Sequence, residues 1–197
     1  MEVARVIYPV ETLGPGKRIG VWTVGCSKRC ENCINPELWE TDSNREISVP
    51  QLAAQIKAIA QKQHVEGVTI SGGDPMEQKD DLLRLLQTLS PLGLDILLYT
   101  GYTLEEIECG WSTVEFQILR ENASVLIDGR YVHALNDNRC PLRGSTNQTI
   151  HYFDVSAKIK YECYCRERSR QIQNFHYSGG LISVGIHNRE EQVHGNH

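Results

Sequence analysis

The sequence predicts an α/β fold built from parallel βαβ units, and three observations carry that expectation. Short apolar runs of strand length alternate with longer segments of helical period. The runs end abruptly in glycine-rich or acidic turns. The residues with chemical potential collect at those ends, where parallel sheets place their active sites.

Taken in order, Val3 to Val10 reads as an edge strand or lead-in broken by Pro9, and Leu13-Gly-Pro-Gly16 as a turn. Ile19 to Val24 is a buried strand whose end delivers Cys26 to a loop. That loop runs through Pro36 and Trp39 to a helix capped by Ser48, with Pro50 in its first turn and Gln51 three residues after the cap. Leu52, Ile56 and Ile59 mark the buried face. Gly67 to Ser71 is the next strand, closed by Gly72-Gly73-Asp74-Pro75. Leu82, Leu83, Leu85, Leu86 and Leu89 make an apolar helix that stops near Pro91-Leu-Gly93. Asp95 to Tyr99 is a strand, Thr103 and Glu106 form a capping box, and Val125 to Ile127 is a strand closed by Asp128-Gly129.

At 197 residues the chain is long enough for one domain with a sizeable core. A net charge of −5 leaves no basic excess to neutralise phosphates, which argues against a nucleic-acid partner. No apolar run approaches the length of a membrane span, and the start, Met1-Glu-Val-Ala-Arg5, does not resemble a signal peptide. Seven cysteines in that context read as reduced thiols and ligands, and the expected location is the cytoplasm.

The most specific stretch is Gly25-Cys-Ser-Lys-Arg-Cys-Glu-Asn-Cys33, with thiols at CxxxCxxC spacing. Iron–sulfur cubes take one thiolate per iron. Cys26, Cys30 and Cys33 could hold three irons and leave the fourth without a protein ligand. A zinc knuckle or three incidental thiols are the alternatives, and zinc would want a fourth ligand from a second pair that does not follow. Gly72-Gly73-Asp74-Pro75 at a strand end is either a plain turn or a place where backbone and carboxylate approach a ligand, an ammonium group for instance.

CxxxCxxC on a loop after an early strand resembles the signature of radical S-adenosylmethionine (SAM) enzymes. The resemblance implies a 4Fe-4S cluster whose open iron binds SAM, and an electron that splits SAM into methionine and a 5′-deoxyadenosyl radical able to abstract hydrogen. Asn32 stands where many members carry an aromatic residue. Ser71-Gly-Gly-Asp-Pro75 resembles that family's Gly-Gly-Glu motif, which implies that Gly72, Gly73 and Asp74 lie against the SAM amino group. Tyr99 to Ile107, Leu126 to Tyr131 and Arg143 to Gln148 are similar to stretches of the activases of anaerobic ribonucleotide reductases, which install a glycyl radical. The likeness runs in order from about Tyr8 to Tyr152. It implies a partial, open (β/α)6 barrel, Thr100 and Asp128 lining the SAM site, and Arg130 reaching the SAM carboxylate. Without the resemblance, Asp128-Gly129 is a turn, Arg130 a solvated residue, and Arg143 to Gln148 either a loop over the site or an exposed connection.

Two units are expected: residues 1–153 as the cluster- and SAM-binding barrel, and 154–197 as a C-terminal extension. In the extension, Lys158, Lys160, Arg166, Arg168 and Arg170 make a basic run, read as a solvated helix face or a docking surface. Phe175 to Ile186 alternates around Ser178-Gly-Gly180 and reads as a hairpin. His187, His194 and His197 near the end are assigned no role. Cys109 and Cys140 are read as isolated thiols, and Cys163-Tyr-Cys165 as inert or, with Cys140, a minor metal site.

The function this implies is abstraction of a backbone hydrogen from a protein or peptide. The partner would be a glycyl radical enzyme, or else a ribosomally made precursor peptide with a small helper protein. The electron donor would be of flavodoxin or ferredoxin type. A non-catalytic iron–sulfur or zinc module is the reading from another class.

Overall fold

A computed structural model describes residues 1–177 and 179–189. Ser178, His194 and His197 lie outside the described residues.

Six strands form one sheet in chain order: β1 (Val3–Val10), β2 (Arg18–Thr23), β3 (Gly67–Gly72), β4 (Asp95–Tyr99), β5 (Val125–Asp128) and β6 (Thr149–Tyr152). The four central strands run parallel, as the alternation predicts. The edge strands β1 and β6 run antiparallel to their neighbours. β6 is a strand that sequence reading did not find. Its four residues, Thr-Ile-His-Tyr, carry too short a pattern to identify one.

One face of the sheet is covered by α1 (Val49–Lys62), α2 (Lys79–Leu89), α3 (Leu104–Gly110) and α4 (Thr113–Asn122). Ile19, Val21, Val68, Ile70, Ile96, Leu98 and Leu126 alternate toward them and join Leu52, Ile56 and the five leucines of α2 in one core. The capping boxes Ser48/Gln51 and Thr103/Glu106 form as the spacing predicts. Ser112 and Glu115 form a third at the start of α4, a helix absent from the sequence-based expectation. The signal was present, since Ser-x-x-Glu is the same pattern.

The other face is covered by the C-terminal extension. Here α5 (Val155–Glu167) lays Ala157 and Tyr161 on Leu97, Val125 and Ile127. The hairpin of β7 (Gln173–Tyr177) and β8 (Gly180–Val184) lays Val184 beside Val10, Trp22, Val24 and Leu38. The predicted hairpin is therefore present. The basic run is dispersed rather than gathered into one surface. Lys158 faces Glu162, Lys160 faces Asp95, and Arg170 is spent on backbone carbonyls.

Arg18 fixes the extension to the sheet. It is fully buried. Its guanidinium donates to Val68 O, Asp95 O, Thr69 Oγ1 and both Asp95 carboxylate oxygens. Tyr161 Oη of α5 donates to Asp95 Oδ1 at 2.7 Å. A buried cation is tolerated because every donor has an acceptor.

Among the described residues no helix is long and apolar enough to cross a membrane.

Candidate functional site

The C-terminal ends of β2, β3, β4 and β5 converge on one cavity of about 170 Å3. Its lining includes Cys26, Cys30 and Cys33, then Gly72, Gly73 and Asp74, then Thr100 and Gly101, then Gly129. The sheet register places these ends side by side, with Thr23 of β2 opposite Gly72 of β3.

The cysteine loop is tied down at both ends. Gly25 N donates to Leu38 O and Cys26 N to Trp39 O, both at 2.9 Å. Cys33 N closes a turn onto Cys30 O. Arg29 and Asn32 sit at φ 45° and 54°, in the left-handed region. Asn is favoured there over bulkier residues, and Asn32 is exposed, which gives a backbone reason for the missing aromatic residue.

Gly73 N donates to Thr23 O and Asp74 N to Gly25 O, both at 2.8 Å, so the end of β3 lies directly under the cysteine loop. A Cβ on Gly73 would stand 2.4 Å from Gly25 O. On Gly72, at φ 120°, it would stand 2.2 Å from Thr23 N. Both positions require glycine because backbone meets backbone.

Asp74 is 1% exposed. Its Oδ1 accepts from Thr100 Oγ1 at 2.8 Å and Met76 N at 3.0 Å, and its Oδ2 from Gly101 N at 2.8 Å. Burial pushes the carboxyl up to about 6, against the hydrogen bonds from Gly101, Met76 and Thr100 that favour the charge. The carboxylate thus joins the end of β3 to the turn after β4.

Asp128 is also buried, and its oxygens accept from Leu104 N at 2.6 Å and Thr149 N at 3.1 Å. It stands behind the wall that Gly129 forms rather than among the lining residues. Arg130 is exposed and donates to Lys28 O, holding the cysteine loop from the far side. The loop from Arg143 to Gln148 closes onto the cavity. Gly144 and Gln148 line it, and Gln148 Nε2 donates to Gly129 O at 2.9 Å.

Three contributors were missed by sequence reading. Glu77 accepts from Ser27 N at 3.2 Å, from the Ser27 hydroxyl and from Tyr102 Oη at 3.1 Å, clamping the cysteine loop to the turn after β4. Its only sequence signal is a helix-start carboxylate three residues after Asp74. Lys28 lies 3.3 Å from the Tyr102 ring centroid and reinforces the same clamp. The third is His187, which lines the cavity with Gly185 and Ile186. Sequence reading assigned it no role, and the order of the chain gives no sign that residues 185–187 return to the cysteines.

The cavity suits an iron–sulfur cluster. Among the described residues, no three His, Cys, Asp or Glu groups converge on a single metal ion. A cube does not ask its thiolates to meet at one point, because each binds a different iron. Burial pushes the Cys26 and Cys33 thiols up. Backbone N–H groups of Lys28, Arg29 and Asn35 favour their anions. Tyr99, a lining residue, buries a phenol Oη that makes no hydrogen bond. The Trp39 N–H lies beside Cys33, whose anion it favours. Buried donors without acceptors are uncommon, and an acceptor bound in the cavity would answer them.

Residues 12–151 match the family described as the 4Fe-4S single cluster domain. Similar curated proteins bear the name anaerobic ribonucleoside-triphosphate reductase-activating protein. The one from Salmonella typhimurium is 32% identical over 154 residues, spanning 74% of this chain and 95% of that protein. The one from Escherichia coli K12 is 31% identical over 153 residues, with the same shares. The one from Vibrio cholerae serotype O1 is 32% identical over 157 residues, spanning 75% of this chain and 96% of its own. Among solved structures, QueE from Escherichia coli is similar over 51% of this chain and 52% of that one, at 23% identity and a TM-score of 0.44.

Proposed function

The chain belongs to the 4Fe-4S single cluster domain family, and on that premise we propose that it is a radical SAM activase. It would take a backbone hydrogen from a protein partner, as the relatives' name as reductase-activating proteins suggests. The observation that carries this reading is the meeting of three thiols from one loop with the Gly72–Gly73 backbone in a single cavity at the strand ends.

Cys26, Cys30 and Cys33 would hold the cluster, and SAM would lie between it and the ends of β3 and β4. The chemistry such a cluster would supply is one-electron reduction of SAM. The protein's own part is positioning and exclusion of water. Gly72 and Gly73 bring bare backbone against the ligand. Asp74 acts through Thr100 and Gly101, whose turn it fixes. Asp128 fixes the start of α3 in the same manner, and Arg130 steadies the cysteine loop through Lys28 O. The sheet, with its two unjoined edges, would be the open partial barrel of this superfamily, and residues 154–197 an accessory C-terminal extension. A flavodoxin- or ferredoxin-type protein would deliver the electron.

A second reading is favoured by the residues beyond 151, which the family match does not include. They would suit a maturase of a precursor peptide, with the extension shaping access.

The test is anaerobic reconstitution with iron and sulfide, then reductant and SAM, with 5′-deoxyadenosine as the readout. Formation above a cysteine-to-alanine control supports both enzymatic readings. No nucleoside above that control rejects them and leaves a non-catalytic module. A glycyl radical signal on a co-purifying large reductase would select the activase.

A further inference from the structure

We propose that Gly185-Ile186-His187 is a resident wall of the ligand site, with Ile186 and His187 contacting bound SAM. The inference rests on the functional reading above and deepens it. The segment lies outside residues 12–151, so it is an addition to the region that defines the family.

Three observations converge. First, all three residues line the cavity that also holds Cys26, Cys33 and Thr100. Second, the segment is anchored on both sides. Before it, Val184 is 2% exposed in the cluster with Trp22 and Leu38, and its carbonyl accepts from Thr12 Oγ1 at 2.9 Å. After it, His187 O accepts from Arg170 Nη1 at 2.9 Å and from Asn136 Nδ2 at 3.5 Å. The same guanidinium donates to Cys140 O and Arg143 O, both at 2.9 Å, and ties the segment to the loop that carries Gly144 into the lining.

Third, the turn into the cavity is made at Gly185, at φ 147°. A Cβ there would stand 2.2 Å from Gln171 O, so glycine is required. Ordering a segment against a cavity costs conformational entropy. Here buried apolar surface and a guanidinium bonded to several carbonyls offset that cost at the place where the chain meets the cavity.

The chemistry of the wall suits a sulfonium nucleoside. Ile186 offers apolar surface to the ribose carbons and the carbons flanking the sulfonium. The His187 imidazole can donate to or accept from a hydroxyl or ring nitrogen.

The test uses full-length, cluster-loaded protein. SAM affinity is measured by equilibrium dialysis, and backbone hydrogen exchange over 179–189 is followed with and without SAM. His187→Ala and Gly185→Ala are expected to weaken SAM binding by about three- to tenfold, the loss of one or two modest contacts. Leu181→Ala, at an exposed hairpin position, is expected to match the wild type. In the wild type, SAM is expected to slow exchange at 185–187. If Gly185→Ala fails to fold, His187→Ala carries the affinity comparison alone. Normal wild-type binding, unchanged affinity in His187→Ala and no change in exchange would overturn the wall while leaving the functional reading intact. Absence of SAM binding in the loaded wild type would overturn both.

Discussion

Thr100 Oγ1 donates to Asp74 Oδ1 at 2.8 Å and accepts from Tyr102 N at 3.1 Å. One hydroxyl thereby links the end of β3 to the turn after β4, and both ends line the cavity. Thr100→Val keeps the shape and removes the hydroxyl. It leaves a buried carboxylate short of a donor, so the apoprotein is expected to lose about 1–3 kcal/mol in urea unfolding. SAM affinity should fall as well, because the turn carrying Gly101 loosens. Unchanged values in both measurements would show that the link is incidental.

Asp74 should leave a pH signature. Its folded value is about 6 because of burial, above the ordinary carboxyl value of about 3.9 in the unfolded chain. Between those values the folded state holds the extra proton, so stability from this group is greatest at low pH and is lost as pH rises through about 6. The stability of the wild type relative to Asp74→Asn should therefore fall by about 2–3 kcal/mol from pH 4 to pH 7. Urea titrations of both apoproteins across that range measure it, and a relative stability that rises with pH would contradict the assignment.

Arg18 and Asp95 are expected to dominate the stability of the second face. Asp95→Ala leaves a fully buried guanidinium without its counter-charge, at a cost of about 3–5 kcal/mol. Tyr161→Phe removes one hydrogen bond to the same carboxylate and should cost about 1 kcal/mol. Equal effects of the two substitutions would mean that the ion pair is not the anchor.

The cysteines should separate by position. Cys30→Ala is expected to abolish the brown cluster colour after anaerobic reconstitution. Cys109→Ala, an exposed thiol outside the cavity lining, should retain full iron content. Iron and sulfide analysis beside the visible spectrum decides it, and an equal loss in both would reject the ligand assignment.

Much of the site could be read before any coordinates, because its parts are local. Cys26, Cys30 and Cys33 stand within eight residues of each other, and Gly72-Gly73-Asp74 follows a strand that its own apolar run announces. Two capping boxes were likewise recognisable from spacing. What could not be read were relations between distant segments: Glu77 on Ser27 and Tyr102, and Arg170 on the carbonyls of Cys140, Arg143 and His187. Such pairings have no period and no fixed spacing.

Asp74 and Arg130 show the boundary within single residues. The motif likeness pointed to a ligand beside both, but no stretch of sequence states that the carboxylate accepts from Thr100 and Gly101 or that the guanidinium donates to Lys28 O. The order of residues alone determined the βαβ alternation, the thiol loop and the glycine turn, because these follow from hydrophobic period and backbone sterics. Only the folded chain decided which oxygen each buried donor meets and that residues 185–187 return to the cysteines. Those outcomes depend on how α5 and the hairpin fill the second face of the sheet, a packing problem in three dimensions that no stretch of sequence states by itself.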